Sequence, residues 1–340
     1  MKIAHMAIVS PRRNGLYETV RDLVEAERTL GMDARIVNPE KDSPSAEDRG
    51  TPIADAQFAK HVDVVVNHSG MGIYEDLDKP IIHVMHGRPR SSFLLEITGK
   101  SKVYSALFSR RSDPKYRVFV TLWEEYLAHW RVILPPEKIK YIPPPVNLSE
   151  WTPSGPRGYG FHGKGGTINV VCSDPWRLDK DPYEVINAFA IFAESHPGAK
   201  FHLYGADKTR TKKAWLVLFS ALNMRGGLGE VHGWVKGLDN VYRAADILVT
   251  PHRIATRSVR ESLACGCSVV MGRNGYTPYH ADPADPIAFA DAMHKATENR
   301  RFDADHERRL ARHSAEQHFD AKRTAEAFIK LSQEVLNGSL

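Results

Sequence analysis

The 340-residue sequence predicts an α/β protein of two Rossmann-like, doubly wound domains, each a parallel sheet with helices on both faces. Three observations carry this. Short apolar runs alternate with helix-length amphipathic segments over 3–122. The same rhythm restarts at 168 and continues to 298. Between the two lie consecutive prolines, Pro143, Pro144 and Pro145, and then a glycine-rich stretch at 155–166. A chain of this length also exceeds one comfortable hydrophobic core.

In the first half, 3–9 is an apolar run ending in turn-forming residues at 10–15. Val20, Leu23, Val24 and Leu30 then recur near the helical period across 17–30, with Gly31 just past the end. Further strands are expected at 34–37, 62–67, 80–85 and 118–122. Prolines can continue neither a helix nor a central strand, so 141–147 reads as a stiff connector. In the second half, strands are expected at 168–172, 200–204, 231, 247–250 and 268–271. Helices are expected at 182–194, 212–222, 238–245, 257–264 and 286–298, and a charged helical region, 303–336, closes the chain. The domains are then 1–147 and 167–310, joined by a linker at 148–166, with 311–340 helical and packing back toward the first domain.

Composition narrows the class. With 42% hydrophobic and 26% charged residues the chain looks like an ordinary globular protein. No apolar run approaches the roughly 18 residues of a membrane-spanning helix, and Lys2 leads straight into a strand, so no secretory leader is expected. Three cysteines cannot build a disulfide framework. Cys172, Cys265 and Cys267 read as small buried fillers, and reduced thiols suit a cytoplasmic address. That address allows a peripheral place at a membrane, or a host cell's cytoplasm for a viral chain. The formal charge is +5. Its cations gather between Arg88 and Arg117, as Arg88, Arg90, Lys100, Lys102, Arg110, Arg111, Lys115 and Arg117 against Glu96 and Asp113. This is either a solvated face or a surface for an anionic partner.

Open parallel sheets bind ligands beyond the carboxyl ends of their strands, which selects the candidate residues. After the first run come Arg12, Asn14 and Gly15, where backbone amides open a helix and can meet negative charge. The glycines fall short of a dinucleotide fingerprint, which excludes NAD. His68 follows 62–67, and His86 with Arg88 follows 80–85; histidines there titrate near neutral pH. Arg177 and Lys180 stand just before a helix start, as binding a diphosphate requires. Finally, a strand at 247–250, a polar loop at 252–257, a helix carrying Glu261 and a small-residue turn form a nucleotide-sized pocket. Glu261 can accept both hydroxyls of a ribose. Asp303 and Asp305 read as surface residues, and no metal is assigned.

Several of these segments resemble retaining glycosyltransferases of the GT-B fold, in particular family four. The matching residues are 242–246 (Tyr-Arg-Ala-Ala-Asp), 261–266 with Val269 and Val270, Arg177 with Lys180 and Asp181, 201–205, 232–235 and 145–147. The resemblance implies two domains facing a cleft, the second holding a nucleotide-sugar donor. It implies that Glu261 holds the ribose, Arg177 and Lys180 the diphosphate, and Gly233, Trp234 and Val235 the base. Arg177 and Lys180 are catalytic in that they meet developing charge, and His86 sits beside the transferring sugar. Arg12, Asn14, His68 and Arg88 fall on the acceptor side. The family carries two glutamates with seven residues between them, and the first of those positions is Arg253 here. The loop Arg253, Ile254, Ala255 and Thr256 is therefore where sugar recognition departs from the family pattern. The expected donor is a UDP-sugar, with a GDP-sugar second, and no cofactor or metal is required. The leaving diphosphate helps deprotonate the acceptor. The acceptor is open among a glycan, a lipid-linked glycan and DNA with modified bases. Alternatives on the same architecture are a nucleotide-sugar epimerase, a phosphorylase and a non-catalytic nucleotide-sugar binder.

Overall fold

The structure, a computed structural model, describes residues 1–7, 15–38, 46–48, 50–68, 77–157, 167–174, 183–205 and 213–340. The chain forms two compact units: Met1–Asn147 with Phe319–Leu340, and Leu148–His318.

Unit 1 contains, in chain order, β1 (Lys2–Met6), α1 (Gly15–Thr29), β2 (Asp33–Val37), β3 (Ala46–Asp48), β4 (Thr51–Ala54), α2 (Ala56–Lys60), β5 (Val64–Asn67), β6 (Ile81–Met85), α3 (Pro89–Ile97), α4 (Val103–Arg110), β7 (Tyr116–Thr121), α5 (Leu127–Trp130) and β8 (Ile139–Tyr141). They build an eight-stranded sheet of order β3-β4-β2-β1-β5-β6-β7-β8. Only β3 and β4 pair antiparallel. The central strands are buried along nearly their whole length, which is why they read as unbroken apolar runs. On α1, Tyr17, Val20, Leu23 and Val24 face the core at helical spacing.

Unit 2 contains β9 (Asn169–Cys172), α6 (Tyr183–Ser195), β10 (Lys200–Leu203), α7 (Lys213–Met224), β11 (Leu228–Val231), α8 (Leu238–Ala244), β12 (Ile247–Val249), α9 (Arg257–Ala264), β13 (Ser268–Val270), α10 (Pro286–Phe302) and α11 (Ala304–His318). Its five strands are all parallel, in the order β11-β10-β9-β12-β13. The core is aromatic, with Phe189, Phe192, Phe201 and Phe289 fully buried. All three cysteines are buried and free.

The chain then returns. Asp320 caps α12 (Ala321–Leu336) by accepting from the Lys322 amide at 2.9 Å, and α12 packs on α1 in unit 1. Val146 donates to the Phe319 carbonyl at 2.8 Å, and the Thr324 hydroxyl donates to the Pro143 carbonyl at 3.1 Å. The proline segment, which can donate no backbone bond of its own, is thus held through its carbonyls and its flanks. Asn147 closes the unit by donating its amide to Asp22 at 3.0 Å and its side chain to Glu25 at 3.2 Å.

The units divide differently from the linker and tail boundaries read in the sequence. Residues 148–157 belong to unit 2, where Arg312 bonds the carbonyls of Leu148 and Trp151. Arg243, nearly buried, donates to the carbonyls of Thr152 (3.1 Å) and Pro156 (2.8 Å). Gly155 lies against that guanidinium with φ of 124°, where a side chain would be strained. The helical end is likewise split: α11 stays with unit 2 and only α12 joins unit 1.

A buried charge cluster ties α1 to the end of unit 1. Arg21 pairs with Glu18, Asp22 and Glu25, and Asp22 is fully buried. Removing one member leaves a desolvated charge behind, so Asp22→Ala is expected to destabilise unit 1 by about 3–5 kcal/mol. The check is a urea titration in which the midpoint falls while the slope stays constant.

Candidate functional site

Both sheets grow outward in two directions from their first strand. The order reverses between β1 and β5 in unit 1 and between β9 and β12 in unit 2. Loops leaving the carboxyl ends of such neighbours part in opposite directions and leave a crevice, where ligands of this fold class bind.

In unit 2 the register at the reversal is pinned by Asp246. Its carboxylate accepts from the Asn169 amide at 2.7 Å, while its own amide donates to the Asn169 carbonyl at 3.0 Å. Just beyond the strands, Asp174 follows β9, and Thr250 and His252 follow β12. All three are buried. The Thr250 hydroxyl donates to Asp174, and the His252 Nε2 lies 3.3 Å from the other carboxylate oxygen. Beside them the Ser173 and Tyr242 hydroxyls bond at 2.9 Å. Burial first, and the Glu261 carboxylate second, push the Tyr242 phenol well above its ordinary range. It stays a neutral hydroxyl at any physiological pH.

Glu261 lies on α9 and is nearly buried. One turn earlier on the same helix, Arg257 donates Nε–H to its Oε1 at 2.5 Å. A buried carboxylate needs such compensation. Arg257 also lies over the Trp151 ring, 6.0 Å from its centroid. Of the loop before α9, Ile254, Ala255 and Thr256 are buried, whereas Arg253 is 65% exposed and paired with Asp282 at 2.8 Å. At the far side of the sheet, Trp234 follows β11 and is 63% exposed. The preceding residues are firmly held: the Gly205 amide donates to the Gly233 carbonyl at 3.0 Å, and the His232 ring stacks on Tyr204 at 4.9 Å. Val235 is half-buried. A fixed strand end thus presents an uncovered indole, a surface on which a flat ring can stack.

In unit 1 the reversal holds a line of histidines. His5 lies on β1, His68 directly follows β5, and His86 directly follows β6. The His68 Nδ1 is 2.8 Å from the His86 Nε2, and its Nε2 is 3.1 Å from the His5 Nδ1. The His5 Nε2 is 2.6 Å from the Glu27 Oε2 on α1, with both side chains fully buried. Burial, and then His86, His5 and His83, lower the His68 pKa well below the ordinary imidazole value. Burial takes His83, also on β6, down to about 4. Both rings are neutral at physiological pH. Arg88 precedes the first turn of α3, and Gly15 opens α1, accepting at its carbonyl from the Thr19 hydroxyl at 2.6 Å.

Arg12, Asn14, Arg177 and Lys180 lie outside the described residues. Of the remaining candidates, the structure joins His68 to His86, and it places Gly233–Val235 and 253–256 beyond strand ends of unit 2. Sequence reasoning missed Glu27, His5, Asp174, Thr250, His252, Tyr242 and Arg257 as participants. Tyr242, Thr250, His252 and Arg257 lie in segments that the sequence singles out without giving them a role, and His5 carried a local signal as a polar residue inside the apolar run 3–9. Among the described residues, no group of three His, Cys, Asp or Glu side chains is arranged to hold a metal ion.

Residues 171–299 match the family described as "Glycosyl transferases group 1". No curated protein sequence is significantly similar. Among solved structures, HepE from Anabaena in complex with UDP-glucose matches with a TM-score of 0.74 at 12% identity, over 98% of this chain and 100% of the other. A glycosyltransferase from Rickettsia africae matches with a TM-score of 0.73 at 12% identity, over 98% of each chain. Sucrose-phosphate synthase from Thermosynechococcus elongatus matches with a TM-score of 0.76 at 16% identity, over 99% of each. Likeness at this identity shows the fold, which is the GT-B arrangement of two parallel-sheet domains.

Asp174 holds the reversal point of unit 2 together. Asp174→Ala leaves a hydroxyl and an imidazole buried beside an empty position, and is expected to cost about 1–3 kcal/mol in chemical denaturation. Asp174→Asn keeps the shape and an acceptor oxygen, and should cost less.

Proposed function

We propose that the protein is a glycosyltransferase that moves a sugar from a nucleotide donor, first a UDP-sugar, to an acceptor hydroxyl with retention at the anomeric carbon. The observation that carries this is in unit 2, where Glu261 on the helix after β12 and the exposed Trp234 after the edge strand β11 both lie beyond strand ends of a stretch that matches a glycosyltransferase family. In this reading Trp234, with Gly233 and Val235, takes the base, Glu261 the ribose hydroxyls, and 253–256 the sugar. Arg177, Lys180 and helix-start amides meet charge that grows on the diphosphate as its bond to the anomeric carbon breaks. These cations do the work without a metal. Retention rests on the family resemblance, as does a same-face displacement in which the leaving diphosphate shares in taking the acceptor's proton. The UDP-glucose complex of HepE, a structure of the same fold, supports the choice of donor.

For the acceptor, the surface of α3 and α4 favours one of the three candidates. Phe93, Leu94, Leu95, Ile97 and Phe108 are exposed on this helical pair, among the cations of 88–117. Exposed apolar side chains ringed by positive charge suit an anionic, lipid-linked acceptor better than a duplex, which presents no apolar surface on its backbone. Among the described residues no helix is long and apolar enough to cross a membrane. The acceptor would then be met at the membrane surface.

Two predictions follow from the two halves of this reading. Glu261→Ala should weaken nucleoside-diphosphate binding by about 1.5–3 kcal/mol in calorimetry, the range for hydrogen bonds to a charged group, in a variant whose circular dichroism matches the parent. Unchanged affinity removes Glu261 from the site. Replacing Arg110 and Arg111 by Glu should raise the acceptor KM steeply at low salt and leave donor affinity unchanged. That difference should shrink as ionic strength approaches physiological, because charges are screened over about 8–10 Å. Superimposable salt curves for parent and variant return this segment to an ordinary solvated face. Product without acceptor indicates an epimerase, dependence on inorganic phosphate a phosphorylase, and binding without turnover a nucleotide-sugar binder.

A further inference from the structure

The strands of unit 2 are parallel, so their amino ends share one end of the sheet, opposite the crevice described above. Asp246 precedes β12 at that end, and Gly266 and Cys267 precede β13. Arginines from three parts of the chain gather around them. Arg300 and Arg301 lie in the last turn of α10, Arg308 lies in the second turn of α11, and Arg157 ends the stretch 148–157. A Cβ built on Gly266 would stand 3.4 Å from both the Arg308 Cβ and the Pro153 Cβ. The Gly266 carbonyl is also 3.5 Å from the Arg300 Nη1. The backbone at 266 is thus where Arg300, Arg308 and the stretch leading to Arg157 come together.

These cations are poorly paired. Arg300 is buried, with 7% of its side chain exposed, yet its Nε is 3.8 Å from the Asp246 Oδ1. That distance is too long for a hydrogen bond. The other Asp246 oxygen is already engaged by the Asn169 amide at 2.7 Å. The charges of Arg301 and Arg308 act on this same carboxylate. Arg308 comes within 3.6 Å of Asp305, but Asp305 is 79% exposed, where an ion pair contributes little. Burial first, and then the charges of Arg300 and Arg157, lower the Arg308 pKa. The buried arginines elsewhere are held differently. Arg243 bonds two carbonyls, Asp239 and Asn240, and Arg21 has three carboxylates within 3.3 Å. Around Gly266, four guanidiniums share Asp246 and Asp305 among the described residues, which leaves two positive charges to be met from outside.

A phosphate group supplies what is missing. It carries nearly two negative charges, and its oxygens accept paired hydrogen bonds from guanidinium forks. We propose that Arg157, Arg300, Arg301 and Arg308 form a binding site for a phosphate group, at the end of unit 2 opposite the crevice. The site lies outside the glycosyl-transfer reading and stands independently of it. The group arrives either on a small soluble ligand or on a lipid headgroup, and the same guanidiniums serve both.

Calorimetric titration with inorganic phosphate reads the site directly. Ionic strength is held constant with chloride, and UDP is kept in excess to fill the crevice. The parent protein should bind phosphate saturably. Arg308→Gln and Arg157→Gln should each weaken binding by about tenfold or more, because each removes charge-assisted hydrogen bonds to the anion. Arg309→Gln removes an equal charge from an exposed position on the same helix, outside the cluster, and should change binding by less than about twofold. Arg157 is exposed, so its variant keeps the fold and decides the matter if Arg308→Gln does not fold. Sedimentation with phosphatidylglycerol vesicles, against phosphatidylcholine, separates the two sources. Retention that falls in Arg157→Gln but not in Arg309→Gln assigns a lipid headgroup, and phosphate binding without such retention assigns a soluble ligand. If neither phosphate nor vesicles are bound, or if Arg309→Gln loses as much as Arg157→Gln, the cluster is ordinary surface charge and the proposal fails.

Discussion

A parallel sheet that reverses its direction of growth cannot keep its loops together. The chain leaving one strand turns to one face, the chain leaving its neighbour turns to the other, and the strand ends between them are left uncovered. Both units of this protein are built on that constraint, between β1 and β5 and between β9 and β12. The groups that gather there are polar, and nearly all are buried. Asp174, Thr250 and His252 meet at one reversal, and His5, His68 and Glu27 at the other. The sheet supplies the place, and hydrogen bonding allows these residues to occupy it.

That second condition costs stability wherever it is met imperfectly. Burying a charge is tolerated when a partner and several hydrogen bonds come with it. Arg243 meets the condition, with two backbone carbonyls, Asp239 and Asn240 around one guanidinium. Arg21 comes close, between three carboxylates. Among the described residues Glu27 meets it least, with one hydrogen-bonded contact and one oxygen left over. The clusters around Arg21 and Arg243 hold distant stretches of chain in place. The underpaired one lies at the reversal point of unit 1.

The strand–helix alternation was legible because central parallel strands are buried on both faces. Sequences such as Val64–Asn67 admit little else. The edges of the larger sheet were not legible: β3 and β8 have three residues each, and β4 carries Pro52. Helix α3 was missed because Phe93, Leu94 and Leu95 are consecutive and exposed, so it has no apolar stripe to detect. The final helices read as one region because only a short break at Phe319 and Asp320 separates them. At the candidate site, His68 and His86 could be singled out by position alone, just after strands. Their connection to Glu27 could not, since a glutamate on a helix reads as solvated and only packing buries it. Arg257 shows the same limit. Nothing in the string reveals that it, one turn before Glu261, turns inward to pair.

The central claim is that a nucleotide sugar is held beyond the carboxyl ends of the strands of unit 2. A crystal structure with UDP tests it most directly. The account predicts the uracil on the Trp234 ring, the ribose hydroxyls at Glu261 and the diphosphate at the loops leaving β9 and β12. UDP bound elsewhere, or a crevice that stays empty at millimolar UDP while the protein remains folded, would contradict it.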